Sequence, residues 1–184
     1  MPAPANKYAN IPVLGFSAFS GTGKTTLLTE IIPMLTEHGL RIGLIKHSHH
    51  NFQIDQPGKD SYRLRQAGAE QVVLAARSRT AVIIENPQAT QEPKLADQYQ
   101  HLDCSHLDLI LVEGFKREAI PKIEVYRSGL GHPYLYPNDT HIIALVTDTS
   151  PAQQISIPVL DINQPRKVAD FILNAWLPNA SLTG

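Results

Sequence analysis

Ser20-Gly21-Thr22-Gly23-Lys24-Thr25-Thr26 is the stretch that decides how this chain is read. It follows an apolar run, Ile11 to Phe16, that reads as a buried strand. It opens a segment, Thr25 to His38, in which Leu27, Leu28, Ile31, Ile32 and Leu35 recur at helical spacing and Gly39 marks a stop. A strand, a glycine-rich turn and a helix in that order make a phosphate-binding loop. The glycines let backbone N–H groups turn inward around phosphate oxygens with no Cβ in the way. The helix N-terminus adds the positive end of its dipole. Ser20, Gly21, Thr22, Gly23, Lys24, Thr25 and Thr26 are therefore the nucleotide-binding candidates, for a nucleoside triphosphate with Mg2+. Lys24 is expected to reach the β- and γ-phosphates, and the Thr25 hydroxyl to ligate the metal. Ala18 stands where the pattern has its first glycine, a mild change that still lets the loop close. The alternative is a glycine-rich turn that happens to precede Lys-Thr.

A second carboxylate completes the pattern. Leu107 to Val112 is the most apolar run, read as the central strand, and it leads into Glu113-Gly114. Phosphate-loop proteins place an acid there to hold magnesium or its water. Glu113 has a longer arm than the commoner aspartate and reaches either the metal-bound water or an attacking one; a plain surface acid is the other reading. Asp60, in Gly58-Lys59-Asp60-Ser61, sits where a γ-phosphate or metal switch residue occurs, or else caps a helix over Asp60 to Ala67. Asp148, ending Val146-Thr147-Asp148, occupies the place of a guanine-reading aspartate, but the Asn-Lys that precedes it in GTPases is absent. His47, His49 and His50 cluster without any zinc-type spacing; contacts to phosphate or a solvated loop fit them better than a metal does.

The remaining pattern alternates strands and helices, as in an α/β sheet. The expected fold is the three-layer sandwich of P-loop NTPases around a mostly parallel sheet. Further strands are read at Arg41 to Lys46, Lys122 to Tyr126, His141 to Thr147 and Ile157 to Asp161, with a closing helix over Arg166 to Trp176. Val72 to Ala76 and Ala81 to Glu85 suit a hairpin. Pro33 should bend the first helix or break it early. Asn86 to Cys104 is the least readable part, a loop with a helical turn or two. A single nucleotide-binding domain is expected over 11–177, between an N-terminal tail at 1–10 and a C-terminal tail at 178–184.

Composition narrows the partners. The chain has 16 basic and 17 acidic residues among 184, a net charge of −1, which offers no electrostatic case for nucleic acid or an anionic membrane. One cysteine, Cys104, excludes an internal disulfide. Met1 to Asn10 has no apolar export core, and no run approaches the roughly 20 apolar residues of a membrane span. The expected location is cytoplasmic.

Five segments occur in one order: Ser20 to Thr26, Gly43 to His50 (GLIKHSHH), Gly58 to Ser61 with Ala67-Gly68-Ala69, Leu107 to Lys116 (LDLILVEGFK), and Leu160 to Asn163. Together they resemble the molybdopterin-guanine dinucleotide biosynthesis protein B family, over roughly Ile11 to Phe171. The resemblance rests mainly on Lys46-His47-x-His49-His50 and Val112-Glu113-Gly114-Phe115-Lys116, which brings Gly114 into the site. It implies a GTP-binding adaptor of weak GTPase activity, a cytoplasmic homodimer that assists the molybdopterin guanylyltransferase; the polar groups of the loop His47 to Asp60 suit contact with a γ-phosphate or with the anionic phosphate of molybdopterin itself. Two other classes stay open. A small-molecule kinase would use Arg63, Arg65, Arg77 and Arg79 as a lid. A nickel or zinc metallochaperone GTPase would use His47 to His50.

Overall fold

The computed structural model describes residues 11–48, 52 and 54–180, which group into two compact units: 48–93, and the remainder of the chain. The tail at 1–10, His49 and His50 lie outside the described residues, as do 181–184.

The larger unit is built on six parallel strands: β1 (Val13–Ser17), β2 (Ile42–Lys46), β5 (Leu109–Glu113), β6 (Lys122–Tyr126), β7 (Ile142–Thr147) and β8 (Val159–Asp161). Their spatial order is β2-β5-β1-β6-β7-β8. Parallel strands are covered on both faces, so their side chains alternate between two cores rather than between core and water. In β5, Leu109 and Leu111 join one cluster, while Ile110 and Val112 join the other. The first cluster packs against Leu27, Leu28, Ile31 and Leu35 of helix α1 (Lys24–Glu37) and Val168 and Ile172 of the closing helix. The second is covered by the segment after Lys94: helix α3 (Leu95–Gln98) and two single 3-10 turns at Tyr99–His101 and Cys104–His106. That segment reads as loop in the sequence because its apolar residues follow no period. Leu95 alone is nearly fully buried, and it anchors the segment on the sheet.

Three expectations change. β5 is interior, between β2 and β1, but the two central strands are β1 and β6. Apolar content reports burial on two faces, and any interior strand has that. Helix α1 runs unbroken through Pro33. Pro33 lies on the exposed face, where the carbonyl it leaves without a donor meets solvent. Gly39, at φ +88°, then ends the helix in a left-handed turn, its N–H donating to the Thr36 carbonyl. The closing helix starts as α4 (Pro165–Asp170), widens to a π turn at Phe171–Trp176 and ends as α5 (Leu177–Ala180), which carries it into the segment read as tail.

The smaller unit holds helix α2 (Asp60–Gln66) packed against a hairpin of β3 (Gln71–Ala76) and β4 (Arg79–Ile84), with Arg77 and Ser78 as its turn. The Arg65 guanidinium ties this unit together. It pairs with Asp55 at 2.7 Å and with Glu85 at 2.6 Å, and these bonds hold the Asp55 carboxyl below the usual carboxylate range. No described helix is long and apolar enough to cross a membrane.

Candidate nucleotide site at the carboxyl edge of the sheet

Parallel register brings the ends of five strands to one edge. Phe16 of β1 lies beside Glu113 of β5, and Lys46 of β2 beside the same Glu113. On the other side, Ser17 lies beside Glu124 of β6, and Tyr126 beside Thr147 of β7. Along that edge the order is therefore Lys46, Glu113, the loop at 18–24, Arg127 and Asp148. Such an edge, where the chain leaves the strands, is where open α/β sheets collect ligands.

The loop turns through Gly21 at φ +78° and Gly23 at φ +91°, backbone that a side chain rarely adopts. Thr22 is buried and its hydroxyl donates to the Phe19 carbonyl at 3.1 Å, which closes the turn. The Lys24 ammonium lies across the loop, donating to the Phe19 carbonyl at 3.1 Å. Burial lowers the Lys24 pKa; Glu113 opposes that shift, and Lys116 and Lys46 add to it. Three lysines thus gather around one carboxylate, so the site is locally cationic on a chain of net charge −1.

Thr25, Glu113 and Lys46 meet directly. The Thr25 hydroxyl donates to Glu113 Oε1 at 2.8 Å. The Lys46 ammonium donates to Thr25 Oγ1 at 3.2 Å and pairs with Glu113 Oε2 at 3.0 Å. Glu113 is buried, yet both its oxygens are engaged. A hydroxyl and a carboxylate converging beside the glycine loop form a hard-oxygen donor set, and that set fits Mg2+ with a bound triphosphate. Gly114 turns the chain away at φ +94°, and a Cβ there would stand 2.9 Å from His47 Cβ. Phe115 keeps the left-handed turn at φ +48° and stacks on His47, ring centroids 4.7 Å apart.

The other sequence candidates sit differently. Ser20 and Thr26 lie exposed on either side of the turn. Asp148 follows β7, and its Oδ1 accepts the Ser128 N–H at 2.9 Å. Asp60 belongs to the smaller unit; it is the first helical residue of α2, with Lys59 at the cap position, and it faces Arg63 at 3.9 Å. An acid in the first turn complements the helix dipole without capping. Among the described residues no group of three or more His, Cys, Asp or Glu is placed to hold a metal.

Sequence reasoning missed four residues. Lys46 and Lys116 were present only as letters of a family pattern. The Lys116 ammonium sits 4.7 Å from the centre of the Phe19 ring, and His132 stacks on that ring at 4.3 Å. Arg127 donates from Nε to the Thr22 carbonyl at 3.0 Å. A residue just past a strand end was the available signal, but it tells nothing until the strand order is known.

The profile of the family described as Molybdopterin guanine dinucleotide synthesis protein B matches residues 13–148. The molybdopterin-guanine dinucleotide biosynthesis adapter protein of Escherichia coli (strain K12) is 48% identical over 168 residues, covering 91% of this chain and 94% of the relative. That of Haemophilus influenzae is 45% identical, covering 91% and 90%. A crystal structure of molybdopterin-guanine biosynthesis protein B superposes with a TM-score of 0.66 at 26% identity, covering 88% of this chain and 97% of that one. Bacillus subtilis MobB, at 24% identity and a TM-score of 0.68, shares the fold. The phosphate loop, the acid ending β5 and the strands β1, β2, β5, β6 and β7 fall within the matched residues, and this chain belongs to the molybdopterin guanine dinucleotide synthesis protein B family.

Proposed function

We propose that this chain is a cytoplasmic GTP-binding adaptor with slow GTPase activity that assists guanylylation of molybdopterin by a separate guanylyltransferase. The observation that carries the reading is the convergence of Lys24, Thr25 and Glu113 at the phosphate loop, 2.8 Å apart in the last two, on a chain related to adapter proteins of that pathway. Lys24 would move from the loop carbonyls to the β- and γ-phosphates, offsetting their charge. Thr25 and Glu113 would hold Mg2+ and its water. Bound there, the metal would supply positive charge to offset that of the phosphates. Glu113 orients the Thr25 hydroxyl, and Lys46 balances the carboxylate. Guanine is taken over adenine on the strength of the relatives, with Asp148 as the base-side acid and Gly114 as the turn that frames the site.

Hydrolysis should be slow. Among the described residues, the side chains bonded to Thr25 and Glu113 are each other and Lys46. Neither a glutamine that positions water nor an arginine finger joins them, and such groups raise rates about 10³–10⁵-fold. Glu113→Gln keeps the shape but loses the charge, so phosphate release should fall about tenfold or more below an already slow parent. A fast parent, or an unaffected variant, would contradict the assignment. The kinase reading loses a lid arginine, since Arg65 is committed to Asp55 and Glu85.

The hairpin supports a homodimer. Val73 and Val82 stand directly opposite each other, 64% and 54% exposed, on a two-stranded sheet with two open edges. Open edges and exposed apolar pairs are covered by another chain, and a second copy supplies one with twofold symmetry. Light scattering at micromolar concentration should give a dimer mass, and Val73→Lys with Val82→Lys should shift it toward monomer. A parent that is monomeric throughout would refute this.

Reconstitution tests the function. Guanylyltransferase, molybdopterin and GTP are combined with and without the chain, and the dinucleotide cofactor is quantified. The yield should rise with the chain present and not with Lys24→Ala. An unchanged yield would remove the pathway assignment.

A further inference from the structure

The two flanks of the phosphate loop differ in chemistry. Lys46 and Glu113 lie on the β2–β5 side, together with the Thr25 hydroxyl. These are metal- and γ-phosphate-type groups, so a triphosphate in the loop has its γ end there. Its nucleoside must then leave across the opposite flank, where β6 and β7 end in Arg127 and Asp148. Arg127 is bonded to the loop itself, its Nε donating to the Thr22 carbonyl at 3.0 Å. In a phosphate nest the N–H groups converge on the anion and the carbonyls point away. Arg127 follows β6, so its guanidinium meets the loop from the flank opposite Glu113 and Lys46.

The loop meets that guanidinium at Gly23, where no side chain stands between them; a Cβ there would lie 3.6 Å from both Nε and Nη2 of Arg127. Among the described residues Nη1 and Nη2 have no carboxylate or carbonyl partner, and Nε alone is bonded. Asp148 lies close enough for the Arg127 charge to add to the Ser128 N–H in holding its carboxyl below the usual range, and that N–H fixes the turn that carries Arg127. A planar cation anchored through Nε and only partly buried is suited to stacking on an aromatic ring.

We propose that Arg127 is the nucleoside-side contact of this site: its guanidinium, pinned to the Thr22 carbonyl, packs on the purine of a bound nucleotide. The inference rests on the nucleotide-binding reading above. Arg127 acts on affinity for the nucleoside and takes no part in cleaving the β–γ bond, which lies on the other flank. Inorganic tripolyphosphate has the same charged chain but no base, so it separates a base contact from a residue that merely braces the loop.

The test is calorimetric titration of the parent, Arg127→Met and Arg127→Lys with Mg·GTP, GDP and tripolyphosphate, alongside Lys24→Ala. Arg127→Met should weaken GTP and GDP alike by about tenfold, leave tripolyphosphate affinity unchanged, and leave kcat at saturating GTP unchanged. Arg127→Lys, without a plane to stack, should not restore affinity. Equal losses for GDP and tripolyphosphate would make Arg127 a brace and overturn the proposal. So would unchanged GDP affinity, or a fall confined to kcat. If the parent binds GTP and Lys24→Ala does not, while Arg127→Met matches the parent, only this inference fails. A parent that binds no nucleotide overturns it together with the reading it rests on.

Discussion

Lys24→Ala is expected to lower the affinity for Mg·GTP by about 100-fold or more while the fold survives. Truncating one partner of a desolvated charge contact costs about 2–5 kcal/mol, and each 1.4 kcal/mol is tenfold in affinity. The ammonium is half-buried at the helix N-terminus and rests on the loop carbonyls, within reach of where a β–γ bridge would lie. Its removal should not unfold the chain, because the ammonium bonds only the loop carbonyls of Phe19 and Ala18 and holds no side chain of the core. Thr25→Ala should instead weaken the dependence on magnesium, since its hydroxyl bonds Glu113 at 2.8 Å rather than the loop. Calorimetry with and without the metal separates the two. A Lys24→Ala variant that binds GTP as tightly as the parent would end the assignment of this loop.

Lys122→Met should destabilise the larger unit by about 3 kcal/mol, roughly 6–12 °C in Tm. Lys122 opens β6, and its side chain is only 2% exposed. Its ammonium pairs with Asp139 at 2.6 Å and donates to the carbonyls of Lys116 and Glu118 at 3.0 and 2.8 Å. Methionine fills the same channel beside Gly15, where any Cβ would stand 2.7 Å from the Lys122 stem. What is lost is the charge, and with it the donor for a half-buried carboxylate and two carbonyls. Burial alone would raise the Asp139 pKa, but the bonds from Lys122 and His141 bring the net shift below its ordinary 3.8. A depressed folded-state pKa gives stability that is present in full above that ordinary value. It is lost as pH falls through the lowered one. The difference between parent and variant should therefore be largest near neutrality and shrink in acid. Thermal scans at several pH values read this directly, and a variant melting within about a degree of the parent would refute it.

The same lysine shows how far a sequence can be read. Lys122 stands in a run with Ile123 and Val125 that any pattern assigns to a strand, and the strand is there. Nothing in the pattern says that its ammonium is buried, because the partners, Asp139 and two carbonyls of the preceding turn, are brought by the fold. The segment 95–107 repeats the lesson. Its covering role depends on Leu95 meeting the open face of β5, and short turns carry no period to announce it. Pro33 is the converse case: a local rule against helix was overridden because the whole apolar stripe of α1 lies on the opposite face.

Local chemistry by itself determined the strand, glycine turn and helix of residues 13–37, the acid at the end of β5, the hairpin at 71–84 and the α/β class. Each depends on residues near one another in the chain, where spacing and backbone freedom act directly. Only the tertiary structure decided which strands are neighbours. Parallel pairing joins segments that are distant in sequence, and hydrophobic periodicity is the same for every strand order. That order sets Lys46 against Glu113 on one flank of the loop and Arg127 against Thr22 on the other. The phosphate cradle is thus a property of seven consecutive residues. The two unlike flanks that orient a nucleotide within it exist because β5 and β6, and not some other pair, lie on either side of β1.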